Sequence, residues 1–265
     1  MVKLVISLLL VFFPLYSSAD VSIYKDDFTL VGIEKHSGET NHLTSTLYGG
    51  SSDLGERSPA DCIIKLEITK SRNGALASLL PFDSEMMNYS SPEKDIAHFY
   101  AVDDRVELFF ENPLDVCPLE TNFSKRYVIV NKHSKEFDAS FNTLLKINYY
   151  NAMAFFQSGD VEQAINSLEP YLTMSDIDRF YSEPIYNDYG YFLQENGRYK
   201  ESIYYLEIVK RRSPHRKAVY LNLADAFWAL KDLDNAKLNY KQYLNLMKSS
   251  GYEKHVPSRV QERIK

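Results

Sequence analysis

Three small residues, Ala164, Ser202 and Ala236, stand 38 and 34 residues apart, each inside the same surrounding pattern. Twelve positions before each comes another small residue, Ala152, Gly190 and Ala224, and three beyond that a large apolar one, Phe155, Leu193 and Phe227. A polar turn separates the two small positions every time: Ser158-Gly159-Asp160, Asn196-Gly197-Arg198 and Lys231-Asp232-Leu233. Helix, turn, helix is thus written three times. A unit of this size cannot bury its apolar face alone, so the second half of the chain must stack into a helical solenoid.

Over roughly residues 145 to 250 the pattern resembles the tetratricopeptide repeat family. The middle unit carries it best, through Gly190, Leu193, Ser202, Leu206 and the closing Pro214, with Ser202 a mild departure from alanine. The third keeps Leu223, Ala224, Phe227, Ala236, Tyr240 and Tyr243, and the first keeps Ala152, Phe155, Ala164, Leu168 and Tyr171. No proline closes the first unit and extra residues precede the second, which predicts a bend or altered stacking there.

The resemblance implies binding of another protein or peptide rather than catalysis. It also implies a concave face lined by the first helix of each pair. Carried over position by position, that face holds Tyr149, Met153 and Phe156, then Asn187, Tyr191 and Gln194, then Leu221, Asp225 and Trp228. Aromatic groups stand at both ends as interface anchors, and the central amides suit a peptide backbone. Phe156 and Trp228 read equally well as stacking core. After Pro257, Val260 and Ile264 lie four apart on a short polar helix, expected to shield the last apolar face.

Before about residue 137 the period is two. The runs Phe28 to Val31, Ile63 to Ile68, Ala97 to Tyr100, Val106 to Phe110 and Tyr127 to Val130 read as strands, with Asp103-Asp104 as a hairpin turn. The stretch from Glu34 to Ala60, rich in Gly, Ser, Thr and Asn, reads as the least ordered part. The fold class expected is α+β: a small N-terminal antiparallel β domain over 20–136, helix pairs over 137–250 and a capping helix over 251–265. Repeat contacts run between neighbours, so a fragment from Phe137 is expected to fold by itself.

Lys3, the apolar run Leu4 to Phe13 and Ser17-Ser18-Ala19 read as a secretory signal over 1–19, which predicts an exported, periplasmic or extracellular protein. No later segment is long and apolar enough for a membrane span. The only cysteines, Cys62 and Cys117, are then expected to pair, closing a loop worth roughly 3–4 kcal/mol in the chain-entropy model.

Residues 20–140 hold 12 Lys and Arg against 21 Asp and Glu, a net of −9, whereas 141–265 hold 17 against 15. An acidic half disfavours nucleic acid and fits a basic partner, such as a toxin or hydrolase held by an immunity-type inhibitor. The basic cluster Lys210-Arg211-Arg212 with Arg216 and Lys217 reads first as a solvated helix end whose cations meet free carbonyls. The six histidines show no metal-ligand spacing, there is no glycine-rich phosphate loop, and His98 beside Tyr100 is the one to inspect. No cofactor, metal or catalytic residue is expected. The alternative is an enzyme with its active site in the β domain and the repeats recruiting substrate.

Overall fold

A computed structural model describes residues 19–37, 42–50, 62–71, 74–83, 88–89, 96–118, 121–174 and 177–265. The stretch read as a secretory leader lies, up to Ser18, outside the described residues. The strands are β1 (Asp20–Lys25), β2 (Thr29–Lys35), β3 (His42–Gly49), β4 (Cys62–Ser71), β5 (Gly74–Leu80), β6 (Phe82–Asp83), β7 (Asn88–Tyr89), β8 (Ala97–Val102), β9 (Arg105–Phe110) and β10 (Arg126–Ile129). Eight of them close an antiparallel barrel in the order β1-β10-β9-β8-β5-β4-β3-β2, while β6 and β7 pair separately. Closure leaves the barrel without a free edge for another chain to extend.

All five runs read as strands fall on strands, and Asp103, at φ 54°, starts the turn of the β8–β9 hairpin. Within the stretch read as least ordered, His42–Gly49 form β3, which corrects that reading there, while its residues 38–41 and 51–60 lie outside the described residues. Its Leu43, Ser45 and Leu47 alternate with Thr44, Thr46 and Tyr48. Thr44 and Thr46 gave it a polar look, yet both are buried. The reason is that β1 to β4 are covered on both faces. Residues such as Val31, Leu47, Ile64, Leu66 and Leu79 belong to the barrel core. Val21 and Ile23, on the other face of β1, join the core of the helices instead.

Helices α1 (Lys135–Ser158), α2 (Val161–Leu172), α3 (Glu183–Glu195), α4 (Tyr199–Arg212), α5 (Lys217–Ala229) and α6 (Leu233–Ser249) form three pairs, followed by α7 (Ser258–Ile264). Each pair is joined by the same backbone device. Gly159, Gly197 and Lys231 adopt positive φ of 92°, 78° and 61°. Their N–H groups donate to Phe156, Gln194 and Trp228 carbonyls, and the next residue's N–H donates to Phe155, Leu193 and Phe227 carbonyls. This double bond pattern satisfies the orphan carbonyls of each first helix and reverses the chain. Where the two helices of a pair then cross, Ala152 with Ala164, Gly190 with Ser202, and Ala224 with Ala236 are all buried. A Cβ added at Gly190 would stand 2.8 Å from Leu206 Cγ, so this crossing tolerates no side chain.

Helix α1 is longer than the other first helices because its early turns lie on the barrel. Ser134 caps it by accepting from Phe137 N at 3.0 Å. Phe137, Phe141, Leu144 and Leu145 are buried in a cluster that also holds Val21, Ile23 and Val130. The insertion after the first pair folds as a short 3-10 turn, Ile177–Phe180, and stacks Phe180 on Phe141 at 4.0 Å. Altered stacking at this point therefore takes the form of a plug between the first pair and the barrel. A fragment beginning at Phe137 would lack the Ser134 cap and expose part of this shared core.

A buried polar network sits in the same junction. On the helix-facing side of the sheet, Glu34 of β2 pairs with Thr44 of β3, and Thr46 of β3 with Lys65 of β4. Lys65 Nζ donates to Glu34 Oε2 at 2.7 Å, Thr46 Oγ1 at 3.2 Å and Asn148 Oδ1 at 2.5 Å. Glu34 also accepts from Thr44 and Thr46 and, at 2.5 Å, from Tyr171 Oη. Asn148 comes from α1 and Tyr171 from α2, so both helices of the first pair dock on one ion pair.

Burial alone pushes the Glu34 carboxyl upward, but the Lys65 charge and the bonds from Lys65, Thr44 and Thr46 outweigh it and hold Glu34 below its ordinary 4.5. The stabilisation is therefore complete above that ordinary value and is lost as pH falls through the lower folded value. Lys65→Met should cost about 3–5 kcal/mol, because it leaves a buried carboxylate unpaired. Its chemical denaturation at pH 7 and near pH 4 should also show a weaker loss on acidification than the parent protein. By contrast, Lys231→Gly should raise stability by about 1 kcal/mol, since it relieves a left-handed non-glycine residue, and thermal melting reads this directly.

Candidate functional site

The first helices α1, α3 and α5 present their inner faces side by side. Between α3 and α5 these faces leave a cavity of about 450 Å³. Tyr191 and Gln194 of α3, and Leu221, Asp225 and Trp228 of α5, line it. Glu195, Tyr199, Asn222 and Ala229 also line it, and Arg259 and Arg263 of α7 add a further wall. The structure thus gathers five of the nine expected inner-face residues around one space.

Asp225 is engaged within the fold. It accepts from Arg259 Nη2 at 2.7 Å, Arg263 Nη1 at 2.8 Å and Tyr240 Oη at 2.5 Å. Burial, followed by the bond to Asp225, pushes the Tyr240 phenol up to about 12, so it remains a donor at neutral pH. The Arg263 guanidinium lies 4.9 Å from the centre of the Trp228 ring, a cation–π arrangement that fixes the indole. Trp228 and Tyr191 are both half-buried, packing one side against the core and presenting the other to the cavity. Burial, with Glu195 nearby as a smaller cause, raises the Tyr191 phenol above its ordinary value.

The other expected positions lie nearer the first pair. Tyr149 Oη donates to Asp188 Oδ2 at 2.7 Å, and burial followed by that bond raises its phenol. Phe156 stacks on Phe192 at 4.5 Å and meets Tyr191 edge-on at 5.5 Å, so it ties the first unit to the second. Met153 is half-buried against the same core. Asn187 is buried and donates to Asp188 Oδ1 at 3.0 Å. Two acceptors stand out: Asn187 Oδ1 and Gln194 Oε1 are buried and have no hydrogen-bond partner among the described residues.

Arg259 and Arg263 escaped the sequence reading, which took the last helix only as a cover. Val260 is indeed fully buried there. The available signal was the four-residue spacing of the two arginines, which puts both on one side of α7 beside Val260. The basic cluster is dispersed into local contacts instead. Lys210 pairs with Glu207 at 2.9 Å, Arg216 with Glu183 at 2.6 Å, and Arg212 and Lys217 lie over the rings of Tyr181 and Tyr252.

In the barrel, Cys62 at the start of β4 is bonded to Cys117 in the β9–β10 connection, with the Cα atoms 5.5 Å apart. The bond pins that long connection to the barrel. His98 pairs with Glu111 at 3.1 Å and stacks beside Tyr100 on the outer face. Among the described residues there is no cluster of three or more potential metal ligands, and no helix is long and apolar enough to cross a membrane.

Residues 218–247, which take in most of α5 and α6, match the tetratricopeptide repeat family. The first two pairs repeat the turn and the small-residue crossing of the third, so the helical half is a tetratricopeptide array. Solved structures with a similar course include PcrH from Pseudomonas aeruginosa, at 14% identity over 49% of this chain and 91% of that one, with a TM-score of 0.39. The first tetratricopeptide domain of human RPAP3 gives 15% identity over 46% and 94%, with a TM-score of 0.38. The Yersinia enterocolitica secretion chaperone SycD, in complex with a peptide of the translocator YopD, gives 17% identity over 51% and 94%, with a TM-score of 0.39. No curated protein sequence matches the chain.

Trp228 is the single tryptophan, so tryptophan emission, excited selectively over the 20 tyrosines, reports on this cavity alone. Arg263→Ala should shift its emission by removing the cation above the ring. Asp225→Ala should instead lower the melting temperature more than Arg259→Ala does, because it strands two guanidinium groups and a phenol together.

Proposed function

We propose that the chain is a protein-binding adaptor whose groove between α3 and α5 holds a segment of another polypeptide. The observation that carries this reading is a buried amide oxygen without a donor in the wall of that groove, Gln194 Oε1 on the inner face of α3. A buried acceptor left unpaired costs roughly 1–3 kcal/mol, which a backbone N–H of a bound peptide would recover. Asn187 Oδ1, likewise without a partner among the described residues, lies two helical turns earlier on the same face of α3, outside the cavity. Tyr191 and Trp228 supply the apolar area beside Gln194, each with a polar edge.

The Cys62–Cys117 bond fits an oxidising compartment, and with the leader read from the sequence it supports an exported protein. A narrower form of the reading makes the acidic barrel an immunity-type inhibitor of a basic toxin or hydrolase. Its support is the exposed pair Tyr100 and Phe109 beside Glu107 and Glu111 on the outer face of β8 and β9.

Capture of partners from the native envelope by the mature protein, read by mass spectrometry, supplies the ligand for the test. Tyr191→Ala or Trp228→Ala should then weaken binding by roughly 2 kcal/mol or more while leaving the helical circular dichroism unchanged. Retention of full affinity by both variants would rule out the groove and transfer the site to the barrel.

A further inference from the structure

A second cavity, of about 530 Å³, lies where the barrel meets the first two pairs. It shares no lining residue with the groove. Its floor is polar and closed: Thr44, Lys65, Asn151, Ser167 and Glu169 are each more than nine-tenths buried. Such volume at the junction of two structural units is typical of small-ligand sites, which run roughly from 300 to 1,000 Å³.

The cations that line it are already paired within the fold. Lys65 is held by Glu34, as described above. Glu169 Oε2 lies 3.3 Å from His36 Nδ1, while its Oε1 accepts from the Ser37 backbone at 3.2 Å. Arg198 is bound through two nitrogens to Glu201, at 2.9 and 2.6 Å. Asp160 caps α2 by accepting from Gln163 N at 3.1 Å, and Glu67 is engaged as well. An anionic ligand would find no unpaired cation among them.

What remains open to a ligand is amide and hydrocarbon. The side chains of Gln163 and Asn166 are exposed at the rim, three residues apart on α2, and form no hydrogen bond with described residues. Each amide offers two donors and an acceptor, a pattern that matches neighbouring hydroxyls. Facing them, Phe155, Leu80 and Pro81 give the cavity an apolar wall. Neutral amides on one side and a hydrocarbon surface on the other suit a molecule with many hydroxyls along its edge and C–H groups on its face.

From this arrangement we infer that the cleft is a binding site for a neutral saccharide of disaccharide size, separate from the peptide groove. The ligand would touch the barrel, α1 and α2 together and so brace the junction.

Amide chemical-shift titration of the full chain tests this, with maltose and N,N′-diacetylchitobiose as probes and glucose 6-phosphate and diglycine as charged comparators. A saturable response to at least one neutral disaccharide at millimolar concentration is expected, centred on residues 151–169 and on His36 and Ser37. Gln163→Leu and Asn166→Leu, both at exposed positions, should each weaken it about tenfold or more, while Tyr191→Ala leaves it unchanged. Absence of a saturable response to both disaccharides would overturn the inference. So would a response to the charged probes alone, or one that survives both amide substitutions.

Discussion

The ion pair between Lys65 and Glu34 is the interaction on which the rest of the molecule depends. Two charges removed from water stabilise a fold only when their remaining hydrogen-bonding capacity is met. Here all three Lys65 protons have acceptors, and both Glu34 oxygens have two donors each. Two of the groups that complete the set, Asn148 and Tyr171, belong to helices rather than strands. The barrel and the first helix pair therefore satisfy each other's buried polar groups, and neither can be withdrawn without leaving an unpaired charge. Apolar contacts around the network, from Val21 and Ile23 to Leu144 and Phe141, add area but no such specificity.

From that fixed end the array grows by repetition. Each unit needs a left-handed residue to turn the chain and small side chains where its helices cross. These local requirements set the spacing of the units, which in turn sets where the inner faces lie. Mobility between units is limited by aromatic stacking, with Phe156 on Phe192 joining the first to the second. At the other end α7 both seals the last apolar face through Val260 and lends two arginines to the groove. Cap and cavity wall are the same seven-residue helix.

The two cavities divide the chemistry of the molecule. The groove combines aromatic edges, an orphan amide oxygen and a guanidinium pair tied to Asp225, on a surface built by first helices and α7. The junction cleft is walled by the barrel, α1 and α2, and its cations are each paired within the fold. One surface therefore suits a polypeptide backbone, and the other a compact neutral molecule.

Much of the helical half was legible before any coordinates. Small residues at Ala152, Gly190 and Ala224 have one physical cause, close helix crossing, and a period made of such causes survives any tertiary context. Gly159 and Gly197 marked two turns because the left-handed backbone there favours glycine, and Lys231 showed its turn only through position in the repeat. The strands at Ile63 to Ile68 and Val106 to Phe110 were equally plain, because β-branched and aromatic runs bounded by turns depend little on their surroundings. Strand β3 was not, since its threonines become interior only when a helix from a hundred residues away covers them. Closure of the barrel, the docking of Asn148 and Tyr171 on Glu34, and the arrival of Arg259 and Arg263 at Asp225 all join residues distant in sequence. The sequence alone determined the repeating helix pairs and the presence of a β half, because short-range periodicity encodes them. Only the tertiary structure decided which polar residues are buried together and where the cavities open, because those depend on contacts that no local pattern records.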